Sequence, residues 1–103
     1  MALVSTHLTT SPNNIVSGTS SENKAITCVY FCNITGSTAT INVYAVPSGS
    51  TTTDCIIYKN LSVASADTVI MDMEKLILGD GDSLYASCST DSAIVMTVSY
   101  VGI

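Results

Sequence analysis

The feature that most constrains this chain is its punctuation. Short runs in which apolar and polar residues alternate are closed by turn residues at intervals of roughly ten, and no useful stretch carries the helical period. The last third is the plainest case. Leu84, Ala86 and Cys88 alternate with Ser83, Tyr85 and Ser87. After Ser89-Thr90-Asp91-Ser92 the pattern resumes, with Ile94, Met96, Val98 and Tyr100 set against Val95, Thr97, Ser99 and Val101. Two such runs parted by a short polar break predict an antiparallel hairpin. Asp80-Gly81-Asp82, just before it, has the backbone freedom of a turn.

The upstream chain reads the same way. Leu3 to Thr10 predicts a first strand, stopped by Ser11-Pro12-Asn13-Asn14, and Ile15-Val16-Ser17 resumes pairing briefly. Lys24 to Ile34 predicts a strand with faces Ala25, Thr27, Val29, Phe31 and Ile26, Cys28, Tyr30, Cys32. Both faces are apolar, which points to a central strand or a contact with another subunit. Thr38 to Val46 places Ala39, Ile41, Val43 and Ala45 inward and ends at Pro47, which cannot donate to a ladder. Ser48 to Asp54 is a loop. Cys55 to Val63 is a strand with Ile57, Leu61 and Val63 on one side, and Thr68 to Met73 is another, following the turn Ala64-Ser65-Ala66-Asp67. Glu74 to Gly79 predicts a helical turn or a crossover. The sum is one domain, residues 1–103, with about seven strands in a two-sheet antiparallel β-sandwich of immunoglobulin-like kind.

Charge narrows the function classes. Charged residues make up 11% of the chain against the usual ~25%, serine and threonine fill the gap, and the net charge is −5. Lys24, Lys59 and Lys75 are the only cations. A phosphate backbone needs clustered Lys or Arg, and so does an anionic lipid surface, so nucleic acid and membrane are excluded as partners. No apolar run approaches the ~20 residues of a spanning helix. Met1 to His7 lacks the basic region of a signal peptide, which predicts a chain kept in the cytosol or released without classical secretion. A surface of hydroxyls is cheaper to desolvate than one of ions and suits burial against a partner.

Candidate chemistry is sparse. Cys28 and Cys32 share a strand face roughly 13 Å apart, too far to bridge each other. A bridge from either to Cys88 imitates the inter-sheet bond of immunoglobulins. The phase of Tyr85 is wrong for that motif, however, and tryptophan is absent, so reduced cysteines acting as small core residues are expected. Cys28-x3-Cys32 in an extended strand does not make a zinc knuckle. His7, Cys28 and Asp67 assemble a catalytic set only on paper, with no nucleophile elbow beside them. Asp72, Glu74, Asp80 and Asp82 lack the offsets of a calcium loop and read as solvated turns. The sequons at Asn33 and Asn60 are chance matches in a Ser/Thr-rich chain. The expectation is a non-enzyme with no catalytic residue, no cofactor and no metal.

Four segments carry a resemblance: Val29-Tyr30-Phe31-Cys32-Asn33, Ile41 to Gly49, Glu74 to Leu84, and Val98 to Ile103. Together they resemble the small virion structural proteins of tailed bacteriophages, especially marine and cyanobacterial phages, from about Thr27 onward. The resemblance implies a β-sandwich that docks on other virion proteins, the major capsid protein or tail and neck proteins, after assembly in the host bacterial cytoplasm. Capsid decoration or cementing comes first, ahead of a tail, neck or fibre accessory role. It implies no functional residues. Aromatic residues dominate interface hot spots, so Tyr30, Tyr44, Tyr58, Tyr85 and Tyr100 form the pool of interface anchors, and a homo-oligomer is expected. The first strand is free to pair with a neighbour's edge. The rival reading is a carbohydrate-binding adhesin module, with Tyr44 and Tyr58 stacking on sugars near the Ser48–Asp54 loop.

Overall fold

The computed structural model describes residues 2–52, 55–71 and 76–103. Among them nine strands form: β1 Ala2–His7, β2 Asn13–Ser17, β3 Lys24–Asn33, β4 Ala39–Val46, β5 Ile56–Val63, β6 Thr68–Met71, β7 Leu76–Leu78, β8 Ser83–Cys88 and β9 Ile94–Gly102. They make two antiparallel sheets, so the all-β sandwich holds. The first runs β1-β9-β3, with β6 and β7 both paired to the far side of β3, and the second runs β2-β8-β4-β5. The two strands beyond the expected seven are short ones. Asn13-Asn14, read as part of a turn, pairs with Ala86 and Tyr85. Leu76–Leu78, read as a helical turn or crossover, pairs with Ile26, Ala25 and Lys24. Met73, the expected end of the preceding strand, and Asp54, the expected end of the loop, lie outside the described residues, as do Asp72, Glu74 and Lys75 of the acidic stretch.

The chain changes sheet at most of its connections, and this overturns the expected C-terminal hairpin. β8 pairs with β2 and β4, whereas β9 pairs with β1 and β3. The Ser89–Ala93 connection is an arch from one layer to the other. It lies beside the β1–β2 connection, which crosses in the opposite sense. The two are laced together: Leu8 N donates to Ile94 O (2.8 Å), Ser92 N to Leu8 O (2.9 Å) and Cys88 N to Thr9 O (2.9 Å), while Asp91 Oδ1 accepts from Thr10 N (2.8 Å). Alternation of side chains is the same in a hairpin and in an arch, so periodicity alone does not separate them.

The faces of β3 are also corrected. Its register against β9 slips between Ile26 and Cys28, and Thr27 is the extra residue of a bulge. Thr27 Oγ1 donates to Ser99 O at 3.0 Å and lies at the same distance from Ser99 Oγ. The bulge reverses the alternation. Ile26, Val29, Phe31 and Asn33 are buried, while Ala25, Cys28, Tyr30 and Cys32 form the outward set. On β4 the expected inward set stands, with Ala39, Ile41 and Val43 buried and Ala45 opposite buried Leu84. β5 departs from its expected pattern: a register shift near Asn60, whose φ is 54°, leaves Ile56, Ile57 and Tyr58 exposed, and only Leu61 and Val63 pack inward.

The core between the layers is continuous, from Phe31, Met96 and Val98 of one sheet to Ile41, Leu84 and Val63 of the other. Lys24 closes one end. Its aliphatic stem runs inward, Nζ donates to Ser17 O at 2.6 Å, and the ammonium lies 5.7 Å from the Tyr100 ring centroid.

Candidate docking face

The chain presents two outer faces, one on each sheet. On the second sheet, Tyr44 of β4 stands directly opposite Tyr85 of β8, flanked by Asn42 opposite Ser87. Nearby, Ser17 Oγ lies 2.8 Å from Ser83 Oγ, and Asn14 Nδ2 donates to Ser17 Oγ at 2.8 Å. Asn42 Oδ1 accepts from Asn60 N at 2.9 Å. These polar groups are committed to one another.

The outer face of the first sheet sets exposed apolar side chains among hydroxyls. Register places its residues in rows across the strands: His7, Val95, Cys32 and Thr68; then Ser5, Thr97, Tyr30 and Ile70; then Leu3, Ser99 and Cys28; then Val101, Ala25 and Ile77. Among the described residues no side chain on this face carries a formal charge with His7 neutral. The described charges lie elsewhere, at Glu22, Asp67, Asp80, Asp82 and Asp91 in connections, on Lys24 pointing inward, and on Lys59 of β5. Leu3 is 69% exposed, Ile70 62%, Ile77 56% and Tyr30 40%. Tyr30 and Ile70 are cross-strand partners, so two large apolar side chains stand together. The Cys28 thiol beside Tyr30, by hydrogen bonding and by charge, raises the tyrosine's pKa.

The five tyrosines do not converge. Tyr30 lies on the outer face of the first sheet, Tyr44 and Tyr85 on that of the second, and Tyr58 on the edge strand β5; Tyr100 packs against the core. Ile70, Ile77 and Leu3, which mark the first sheet's outer face most strongly, were not among the anchors expected from sequence. The signal for Ile70 and Ile77 lay in Thr68–Met71 and Leu76–Leu78, where apolar residues stand side by side without alternating.

The cysteines are all free, and their setting departs from expectation. Only Cys88 is a core residue; Cys28 and Cys32 stand half-buried on the outward face. Cys88 faces inward from the other sheet, so neither can bridge to it without unfolding. Burial pushes the Cys88 thiol pKa up, against a smaller pull down from backbone hydrogen bonds at Thr90, Ile94 and Ala93, and Sγ lies 2.8 Å from Thr90 O. The protonated form is thus favoured in the fold. Its contribution is complete below the thiol's unfolded pKa and is lost as pH rises through the folded value. Urea melts at rising alkaline pH should show stability falling faster in the wild type than in Cys88→Ala. In the native state at pH 7.5, maleimide should modify Cys88 at least about 100-fold more slowly than Cys32, because reaction must wait for opening.

His7 and Cys32 flank Val95 in one row, roughly 10 Å apart at the usual strand spacing. Cys28 lies four residues further along β3, and Asp67 Oδ1 accepts from Thr68 N at 2.8 Å, so the three do not form a relay. Asp82 is a structural acceptor: its Oδ2 takes Gly79 N at 3.0 Å and its Oδ1 takes Ser48 N at 2.9 Å. Among the described residues no group of three or more His, Cys, Asp and Glu is placed to hold a metal ion. Asn33 is 1% exposed, which removes it as a glycan acceptor in the folded chain. A small cleft of about 160 Å³ opens between Val46-Pro47 and Leu76–Leu78, with Asp82 at its rim. Among the described residues no helix is long and apolar enough to cross a membrane.

Comparisons with protein-family models, curated protein sequences and solved structures return no match.

Proposed function

We propose that this chain is a non-enzymatic structural protein that is built into a larger particle by burying the outer face of its five-stranded sheet. The single observation carrying this is that Tyr30, Ile70, Ile77 and Leu3 stand exposed on a face that bears no formal charge among the described residues. Monomers seldom leave a contiguous apolar patch of more than a few hundred Å² open to water, and interface cores are depleted of charge. The segment resemblance to small virion proteins of tailed phages supplies the setting, a capsid decoration or cement role ahead of a tail or neck role. Quantitative mass spectrometry of intact phage particles tests it. Copies on the order of hundreds per particle would assign the shell, and a dozen or fewer the tail machinery. Particles without the chain, or particles that retain Ile70→Lys as fully as wild type, overturn the reading.

The Tyr44–Tyr85 pair on the opposite face favours the adhesin alternative, since two aromatic rings side by side offer a stacking platform for sugar. Its polar neighbours are already hydrogen-bonded to each other, which leaves few donors for a glycan. Glycan-array binding abolished by Tyr44→Ala would establish it.

A further inference from the structure

Resting on that reading, we infer that the occupant of this face is a second copy of this chain, packed sheet on sheet about a two-fold axis. Charge is the first reason. The chain carries −5 overall, so two copies repel each other across most approaches, and among the described residues this face is where two identical surfaces meet without opposing like charges. A partner recognised by charge finds no handle here, whereas an identical face matches it.

Size is the second. The 32 residues of β1, β3, β6, β7 and β9, at about 4.8 Å between strands and about 3.3 Å along them, give roughly 500 Å² of projected face per copy. Two such faces bury about 1,000 Å², the least that a specific interface needs.

The layout is the third. Tyr30, Ile70 and Ile77 gather on β3, β6 and β7, while β1 and β9 carry Ser5, Thr97 and Ser99 interleaved with Leu3, Val95 and Val101. A two-fold axis running across the strands lays β3 on β3 and β9 on β9, so the Tyr30, Ile70 and Ile77 cluster meets its copy and the mixed β1–β9 strip meets its own. The sheets then stack about 10 Å apart, as inner layers of sandwiches do. Cys28 and Cys32 fall inside this contact and Cys55 outside it, which provides a built-in footprint.

Sedimentation velocity on the purified chain, from about 1 μM to 1 mM under reducing conditions, reads the association directly. The expected result is a dimer dissociating in the micromolar range. Across the same series, the maleimide rate at Cys28 and Cys32 should fall at least tenfold while that at Cys55 stays constant. Ile70→Lys, which buries two cations in the contact, should weaken association at least 30-fold with an unchanged melt. Ile70→Thr, which trims apolar area without charge, should weaken it less. A monomer at 1 mM, or a dimer in which Cys28 and Cys32 react as in the monomer, overturns the inference. If the chain is monomeric alone yet enters particles through Ile70, the neighbour is another virion protein: the dimer fails and the structural role stands. A dimer absent from particles gives the reverse.

Discussion

Asn33→Ala should lower the melting temperature by about 15–25 °C, one of the two largest effects expected of a single substitution in this chain. Asn33 ends β3 with its side chain buried between the layers. Nδ2 donates to Ser37 O at 2.8 Å and to Val63 O at 3.0 Å, and Oδ1 accepts from Thr35 N at 2.9 Å and Thr35 Oγ1 at 2.7 Å. One amide therefore ties the end of β3 to β5 of the opposite sheet and shapes the connection to β4. Each neutral hydrogen bond contributes about 1 kcal/mol, and the groups left buried without partners add to the loss, giving about 3–4 kcal/mol in all. Asn33→Asp separates the donor from the acceptor role. It retains the bonds from Thr35 but sets a carboxylate against the carbonyls of Ser37 and Val63, which raises the aspartate's folded pKa. The contribution of that group is present at low pH and lost as pH rises through the folded value. Asn33→Asp should accordingly be severely destabilised at pH 7 and recover partly near pH 4, which Asn33→Ala should not do. Thermal melts within about 3 °C of wild type for Asn33→Ala would refute this role.

Gly18→Ala should cost about 3 kcal/mol, the upper end of the range for overpacking. Gly18 is buried where the chain leaves β2 and runs beside Asp80. Its N–H donates to Asp82 O at 3.0 Å, and its carbonyl accepts from Gly81 N at 3.2 Å. A Cβ there would meet Leu78 O at 2.5 Å and lie closer still to the Gly79 carbonyl oxygen. These are backbone atoms of the crossing between β7 and β8, so relief requires moving the connection that joins the two sheets. Gly36→Ala is the control, because nothing lies within 4 Å of its Cβ, and it should change stability by no more than about 0.5 kcal/mol. Urea denaturation of the two variants side by side checks the contrast. Equal midpoints would show that the Gly18 crossing yields easily.

Sequence by itself determined the class of structure. The alternation in Ala39–Val46 and Ile94–Val101, and turn residues at near-regular intervals, left no room for helices, because a period of two puts one face of a strand in a core and no helix can do that. It also determined the chemical poverty of the chain, with one His and no Arg to build a site from. Tertiary structure alone decided which strands are neighbours, since side-chain alternation is blind to whether Ser89–Ala93 folds back in one sheet or arches to the other. It alone decided the faces of β3, because the extra residue Thr27 shifts the register by one and turns Cys28, Tyr30 and Cys32 outward. The docking face was therefore hidden in the sequence: its rows are drawn from strands distant along the chain, and only hydrogen-bonded register brings Tyr30 beside Ile70.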